Sequence, residues 1–214
     1  MASASEQLAA NMNLGTFGKA KELQQRLLFT LLILVVYRIG TYIPIPGIDL
    51  AVFQANFAET GGGLIGRLNM FSGGAVERMA VFALNVMPYI SASIIMTLMK
   101  GSIPTLKELD KDGEQGRKQI NQYTRYLTVF LAAFQAFGIS RALGASGAVI
   151  NPGLFFDAST VITLVGGTMF LMWLGEQVTA RGVGNGVSLI IFAGIVAELP
   201  RAIFQVLDLN RTGS

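Results

Sequence analysis

The sequence contains no cysteine and no histidine. Without cysteine it has no disulfide, no thiol nucleophile and no thiolate ligand for zinc. Without histidine it lacks the side chain that most often moves protons near neutral pH, so Ser/His and HExxH arrangements are excluded. The glycine-rich stretch ARGVGNGVS (180–188) is not followed by the GK[ST] of a phosphate-binding loop. We therefore expect no catalytic residue, no metal site and no cofactor.

Charge is also scarce. Asp, Glu, Lys and Arg make up 14% of the 214 residues, whereas about 25% is usual in globular domains. Hydrophobic residues reach 52%, and the mean hydropathy is +0.54. So few charges cannot cover a water-exposed surface, and disordered chains are rich in charge rather than poor in it. The net charge of +3 is too small to indicate nucleic-acid binding. The composition indicates a membrane protein.

Five stretches are candidates for transmembrane helices, which need about 20 mostly apolar residues. They cover approximately residues 27–43, 79–99, 126–143, 158–175 and 187–207. The first carries Arg38 near its far end, where a long side chain can reach the interface. The fifth is interrupted by Glu198, Pro200 and Arg201. Five buried helices of a soluble protein would need more charge on their outer faces. We predict an all-α, polytopic membrane helical bundle with five transmembrane helices.

Residues 18–29 (GKAKELQQRLLF) precede the first of these stretches and are charged on one side and apolar on the other. This pattern suits an amphipathic helix on the membrane surface. A simple helical extension of the first transmembrane helix fits equally well, and the sequence leaves both interpretations open.

Lysine and arginine are distributed unevenly between the two sides of the membrane on which the loops of five spans would lie. One side holds 10 of the 16 cations, in the N-terminal residues, the 100–125 loop and Arg181. Short loops rich in Lys and Arg stay in the cytoplasm. We expect a cytoplasmic N-terminus and residue 214 on the periplasmic side. The 100–125 loop is either a solvated loop that sets this topology or a docking surface for a partner.

A glycine-flanked segment, residues 61–74, lies between the first two spans. Leu64, Leu68 and Phe71 fall at helical spacing within it. A compact, half-apolar segment between glycines could pack as a movable lid or form an external loop with a little helix. Periodicity alone does not decide between them.

In the second span, Val86 and Ile90 are four residues apart and project from one face of a helix. Such a pair usually packs against a neighbouring helix or lipid. If the helix lines a pore, the same pair can form an apolar constriction that excludes water and ions. The second span alone leaves both roles open.

Four long blocks carry a specific resemblance to a known family. They are RIGTYIPIPGID (38–49), NMFSGGAVERMAVFALNVMPYISASIIMTL (69–98), GRKQINQYTRY (116–126) and GTMFLMWLGEQVTARGVGNGVSLIIFAGIVA (167–197). In wording and order they resemble the bacterial SecY family, the channel subunits of the general protein translocase. The resemblance matches the first five of the family's ten spans and implies one half of an inverted-repeat fold. It therefore implies that a C-terminal half is required.

The same resemblance implies roles for particular residues. Val86 and Ile90 match apolar pore-ring positions, as do Val187 and Ile191 in the fifth span, although the family often has Ile where Val86 and Val187 stand. Segment 61–74 matches the plug, with the apolar side chains of Leu64, Ile65, Leu68, Met70 and Phe71 and the hinge glycines Gly61, Gly62, Gly63, Gly73 and Gly74. Because the fifth span starts near residue 187, its ring pair reaches mid-membrane only if that helix begins inside a cytoplasmic funnel.

The implied function is that of the central pore-forming subunit of a protein translocation channel. It would pass unfolded secretory polypeptides across the membrane and, between spans two and three and the missing half, release apolar segments into lipid. Implied partners are SecE, SecG, a SecA ATPase or a ribosome, and translocating polypeptides with their signal sequences. The implied location is the bacterial inner membrane. The alternative is half of an inverted-repeat transporter for a small solute, but the clean spans lack the ionisable midplane ligands typical of one.

Overall fold

The computed structural model describes residues 21–60, 69–70 and 72–212. Its helices are α1 (Lys21–Gly40), α2 (Leu50–Thr60), α3 (Met87–Ser102), α4 (Pro104–Lys111), α5 (Glu114–Ala145), α6 (Leu154–Arg181) and α7 (Gly186–Thr212). Within the described residues, extended segments pair only as two isolated bridges, Pro44 with Ala80 and Ile48 with Val149. The predicted all-α class is confirmed.

Three of these helices, α1, α5 and α6, are long and apolar enough to cross a membrane. Helix α3 has 16 residues, and the apolar part of α7, Gly186–Pro200, is also shorter than a usual span. Large apolar side chains such as Leu32, Phe130 and Phe155 are exposed on the outside of the bundle. Lipid solvates such surfaces, so the chain is a polytopic membrane helical bundle. The count of five transmembrane helices stays a prediction.

Helix α1 shows which of the two predicted structures the residues before the first predicted span adopt. It is one continuous helix over Lys21–Gly40, with an exposed ion pair between Arg26 and Glu22 at 2.9 Å near its start. The described part of the predicted amphipathic segment is therefore a helical extension of the first span. Residues 18–20 lie outside the described part of the chain.

The second predicted span, residues 79–99, is helical only from Met87 onward. Residues 72–86 form successive turns instead, and Met79 and Asn85 have positive φ angles of 44° and 51°, which an α-helix does not contain. The backbone N–H of Val81 donates to the carbonyl of Ile43 at 2.9 Å and so fixes this stretch to the end of α1. Pro88 consequently lies in the first turn of α3, where proline is tolerated, rather than in mid-helix.

Helix α6 lies at the centre of the bundle and packs against α1, α5, α7 and, less extensively, α3. Glycine allows the closest approaches. A Cβ on Gly167 would collide with the carbonyl oxygen of Val81. The α6–α7 turn is tied to α1, because the N–H of Val183 donates to Oγ1 of Thr30 at 3.2 Å. Small residues that let backbones approach are the usual means by which membrane helices associate.

Candidate functional site: an apolar cluster where two helices begin

The four predicted ring residues lie in or against one apolar cluster. Val86 immediately precedes α3 and Ile90 lies in its first turn, while Val187 and Ile191 occupy the first two turns of α7. The buried members of the cluster are Ile33, Tyr37, Phe82, Val86, Leu171, Leu174, Val178 and Ile190. The fold therefore brings together two pairs of aliphatic side chains that are far apart in the sequence.

The four side chains differ in how much surface they present. Val86 is 1% exposed and is covered by its own chain. Ile90, Val187 and Ile191 are half-buried and pack against the same cluster. These three side chains offer apolar surface that makes no hydrogen bonds. A wall of this kind disfavours hydrated ions, which would have to shed water beside it.

Two glycines determine where α7 begins. A Cβ on Gly186 would overlap the carbonyl oxygen of Gly175 in α6, and a Cβ on Gly175 would lie 2.9 Å from Cγ2 of Val187. The N–H of Gly186 also donates to Oγ1 of Thr179 at 2.9 Å. Gly175 precedes the end of α6 at Arg181 by more than one helical turn. Helix α7 thus starts alongside α6 rather than beyond it.

The chain leading to α3 is held by polar contacts to α1. The hydroxyl of Tyr37 donates to the carbonyl of Ser72 at 3.2 Å, and Nη1 of Arg38 donates to the carbonyl of Gly73 at 2.7 Å. Gly73 and Gly74 have φ angles of +65° and +79°, and a Cβ on Gly73 would lie 3.1 Å from the Cα of Gly194 in α7. Both glycines, predicted as hinges, are therefore buried and closely packed.

A mostly apolar cavity of about 640 Å³ is lined by residues of a second apolar cluster, separate from the one that contains the predicted ring residues. It opens between α2, the stretch leading to α3, and the second half of α5. Its apolar lining includes Phe53, Phe57, Met79, Leu84, Ile139 and Leu143. A cavity of this size with an apolar lining could accommodate apolar side chains of another polypeptide segment. Among the described residues, no group of acidic side chains could hold a metal ion.

The sequence model of the SecY family matches residues 80–214. The chain belongs to the SecY family. It is 55% identical over 200 residues to protein translocase subunit SecY of Escherichia coli K12, covering 92% of this chain and 45% of the relative. It is 54% identical over 196 residues to the SecY subunit of Pseudomonas aeruginosa, covering 92% and 44%. It thus spans a little under half the length of these SecY relatives.

Solved structures show the same fold. Sec61 in the canine ribosome–channel complex from the endoplasmic reticulum matches with a TM-score of 0.66 at 20% identity, covering 89% of this chain and 42% of Sec61. A SecY structure solved in a study of how the plug domain stabilises the closed channel matches with a TM-score of 0.60 at 24% identity, covering 83% and 36%. The SecY fold predicted from the sequence blocks is confirmed. With bacterial SecY relatives and long apolar helices, the chain is a multi-pass protein of the bacterial inner membrane.

Most of the predicted SecY plug lies outside the described residues. This applies to the side chains Leu64, Ile65, Leu68 and Phe71 and to the glycines Gly61, Gly62 and Gly63. Met70 is described and is 51% exposed. The plug and its hinges remain predictions.

Sequence reasoning missed that the side chain of Arg38 binds within the bundle. We expected its side chain to reach the membrane interface, but its guanidinium binds the carbonyl of Gly73 and, through Nη2, the hydroxyl of Tyr42 at 3.0 Å. The main partner is a backbone carbonyl from a distant segment, which no residue pattern reveals. The glycine pair at 73–74 was the available signal, because adjacent glycines often mark close backbone approach.

Proposed function

We propose that the chain is the first half of a SecY-type protein-conducting channel that passes unfolded secretory polypeptides across the bacterial inner membrane. The observation that carries the proposal is the convergence of Ile90, Val187 and Ile191, with Val86 behind them, at the starts of α3 and α7. The relatives' name, protein translocase subunit SecY, supports it. The C-terminal half of the protein is required to complete the pore.

The apolar ring acts as a seal that has no sequence preference. Ions pass poorly because leaving water beside aliphatic side chains costs several kcal/mol per charge. A polypeptide can pass, because branched aliphatic side chains fit around any sequence without forming specific bonds. Segment 61–74 serves as the plug on the periplasmic side of this ring. The C-terminal end of that segment, at Ser72 and Gly73, is fixed by Tyr37 and Arg38.

Helices α3 and α5 form one lip of a lateral gate. They pack against each other, and the cavity of about 640 Å³ opens beside them. An apolar segment of a passing chain leaves the pore here because burial in lipid is favourable. The second lip belongs to the C-terminal half.

The orientation follows from charge. The N-terminus and the 100–125 loop face the cytoplasm, and residue 214 faces the periplasm. The chain supplies no motor chemistry, so a SecA ATPase or a ribosome provides the driving force. SecE braces the outer side of α1 and the end of α7, and SecG lies near this half. No enzyme activity, cofactor or nucleic-acid recognition belongs to the proposal.

Reconstitution of the full-length protein tests the proposal. The complete SecY subunit is purified with its SecE and SecG subunits, placed in liposomes and supplied with SecA, ATP and a labelled secretory precursor. The precursor should become resistant to external protease, and omission of SecA should abolish this protection. Uptake of a small solute with no precursor protection would favour the transporter alternative and contradict the channel.

A further inference from the structure

Residues 72–78, which we call the anchor turn, are the meeting point of α1, the chain leading to α3, and α7. Tyr37 and Arg38 of α1 donate hydrogen bonds to the carbonyls of Ser72 and Gly73. On the other side, Gly73 lies so close to Gly194 of α7 that a Cβ would come within 3.1 Å of its Cα. The turn is buried over residues 72–75.

This turn contacts α7 directly and is joined to the start of α3 by residues 79–86. Residues 79–86 run from it to Val86 without forming a helix, so the position of Val86 depends on where this stretch is fastened. One fastening is backbone pairing, in which the N–H of Ile45 donates to the carbonyl of Met79 at 3.0 Å and the N–H of Val81 donates to the carbonyl of Ile43 at 2.9 Å. The other is the anchor turn. Gly194 follows Ile191 by about one turn of α7, so the same contact also sets the position of the second ring pair.

The guanidinium of Arg38 is held on several sides. Nη1 donates to Gly73 at 2.7 Å and Nη2 to the hydroxyl of Tyr42 at 3.0 Å. The Tyr42 ring also lies 5.0 Å from Cζ of Arg38 and 4.4 Å from Cζ of Arg78. A charged donor makes the bond to the Gly73 carbonyl stronger than a neutral one would.

A further charged group faces the turn from α7. A Cβ added to Gly74 would lie 2.6 Å from Oε1 of Glu198 and 2.7 Å from Nη1 of Arg78. The absence of a side chain at residue 74 therefore leaves room for a carboxylate and a guanidinium at the buried turn. Nη1 of Arg78, within the turn, also donates to the carbonyl of Gly73 at 3.4 Å, whereas Arg38 reaches the turn from α1 and Glu198 reaches it from α7.

We propose that Arg38 is a positioning residue for the resting seal of the channel. By holding the carbonyl of Gly73 it fixes the anchor turn, and through that turn it fixes the starts of α3 and α7 so that the ring side chains meet. Arg38 itself does not contact the translocating polypeptide. The inference rests on the proposed channel function.

The test is the ion leak of the resting channel. Full-length protein with its partner subunits is reconstituted into potassium-loaded liposomes without substrate, and efflux is measured per assembled complex. We expect Arg38→Gln to raise the leak at least about ten-fold, the change in a closed-to-open ratio that corresponds to the loss of one hydrogen bond from a charged donor. Arg26→Gln is the matched control, because it makes the same change on the same helix at an exposed pair with Glu22. It should leave the leak unchanged.

A second variant keeps the test decisive if Arg38→Gln assembles poorly. Tyr42→Phe removes the hydroxyl that accepts a hydrogen bond from Nη2 of Arg38 at 3.0 Å but keeps the ring that lies 5.0 Å from Cζ of Arg38. It should raise the leak in the same direction. An unchanged leak per complex in the assembled variants, while the unmodified complex still protects a precursor, overturns the role of Arg38. Failure of the unmodified complex to protect any precursor contradicts the channel function instead.

Discussion

The backbone of Gly175 in α6 lies directly against Val187 at the start of α7, so closely that a Cβ at residue 175 would be 2.9 Å from Cγ2 of Val187. This contact seats the beginning of α7 beside α6. It also determines the depth at which Val187 and Ile191 lie. The position of the proposed ring therefore depends on a residue with no side chain.

Replacement of Gly175 by leucine should displace α7. Overpacking of this kind costs about 1–3 kcal/mol, and we expect reduced thermal stability and reduced precursor translocation by the full-length complex. Gly166→Leu is the matched control on the same helix, because nothing lies within 4 Å of a Cβ there. Equal losses for the two variants would contradict the seating role of Gly175.

Gly73→Ala should destabilise the protein more than Gly147→Ala. Both glycines have positive φ angles, +65° and +72°, so each alanine bears a left-handed backbone cost of about 1–2 kcal/mol. A Cβ at residue 147 meets open space, whereas one at residue 73 would press on the Cα of Gly194 at 3.1 Å. Thermal unfolding of both full-length variants measures the difference. A smaller loss for Gly73→Ala than for Gly147→Ala would show that the anchor turn is not closely packed.

The ion pair between α5 and α6 should contribute little to stability. Nε and Nη2 of Arg125 donate to Glu176 at 3.1 and 2.6 Å, but the two side chains are 47% and 33% exposed. Exposed pairs are worth up to about 1 kcal/mol. A double-mutant cycle with Arg125→Gln and Glu176→Gln, followed by thermal unfolding, should give a coupling energy in that range. A coupling several times larger would mean that the pair is shielded from solvent in the assembled channel.

The long helices could be predicted from the sequence because α5 and α6 each contain a mostly apolar stretch, residues 126–143 with one charge and residues 158–175 with none. The stretch 79–86 could not. This stretch is as apolar as a membrane-spanning helix, because buried turns also contain few charged residues. Composition therefore does not distinguish the two. Its two positive φ angles fall on Met79 and Asn85, and methionine gives no local signal for that conformation. Pro88 was the useful signal, because proline is common in the first turn of a helix.

The candidate site was predictable only in part. The pore-ring role of the four residues was predicted from family resemblance, not from periodicity. In the structure these residues lie in or against one apolar cluster. The burial of Val86 depends on side chains from α1 and α6, and tertiary packing of that kind leaves no trace in the local sequence. Arg38 shows the same limit, because its partner in the distant segment is the backbone carbonyl of Gly73.

The central claim is that Ile90 and Ile191 face the path of a translocating polypeptide. These 214 residues contain no cysteine, so a single cysteine introduced among them reports on one position. A secretory precursor carrying a thiol-reactive group is stalled in the full-length complex, and its crosslinks to Cys at residues 90 and 191 are compared with those at two outer positions. The outer positions are Leu32 and Phe192, which are 58% and 61% exposed. We predict crosslinks from residues 90 and 191 and none from 32 and 192; crosslinks from the outer positions alone would contradict the account.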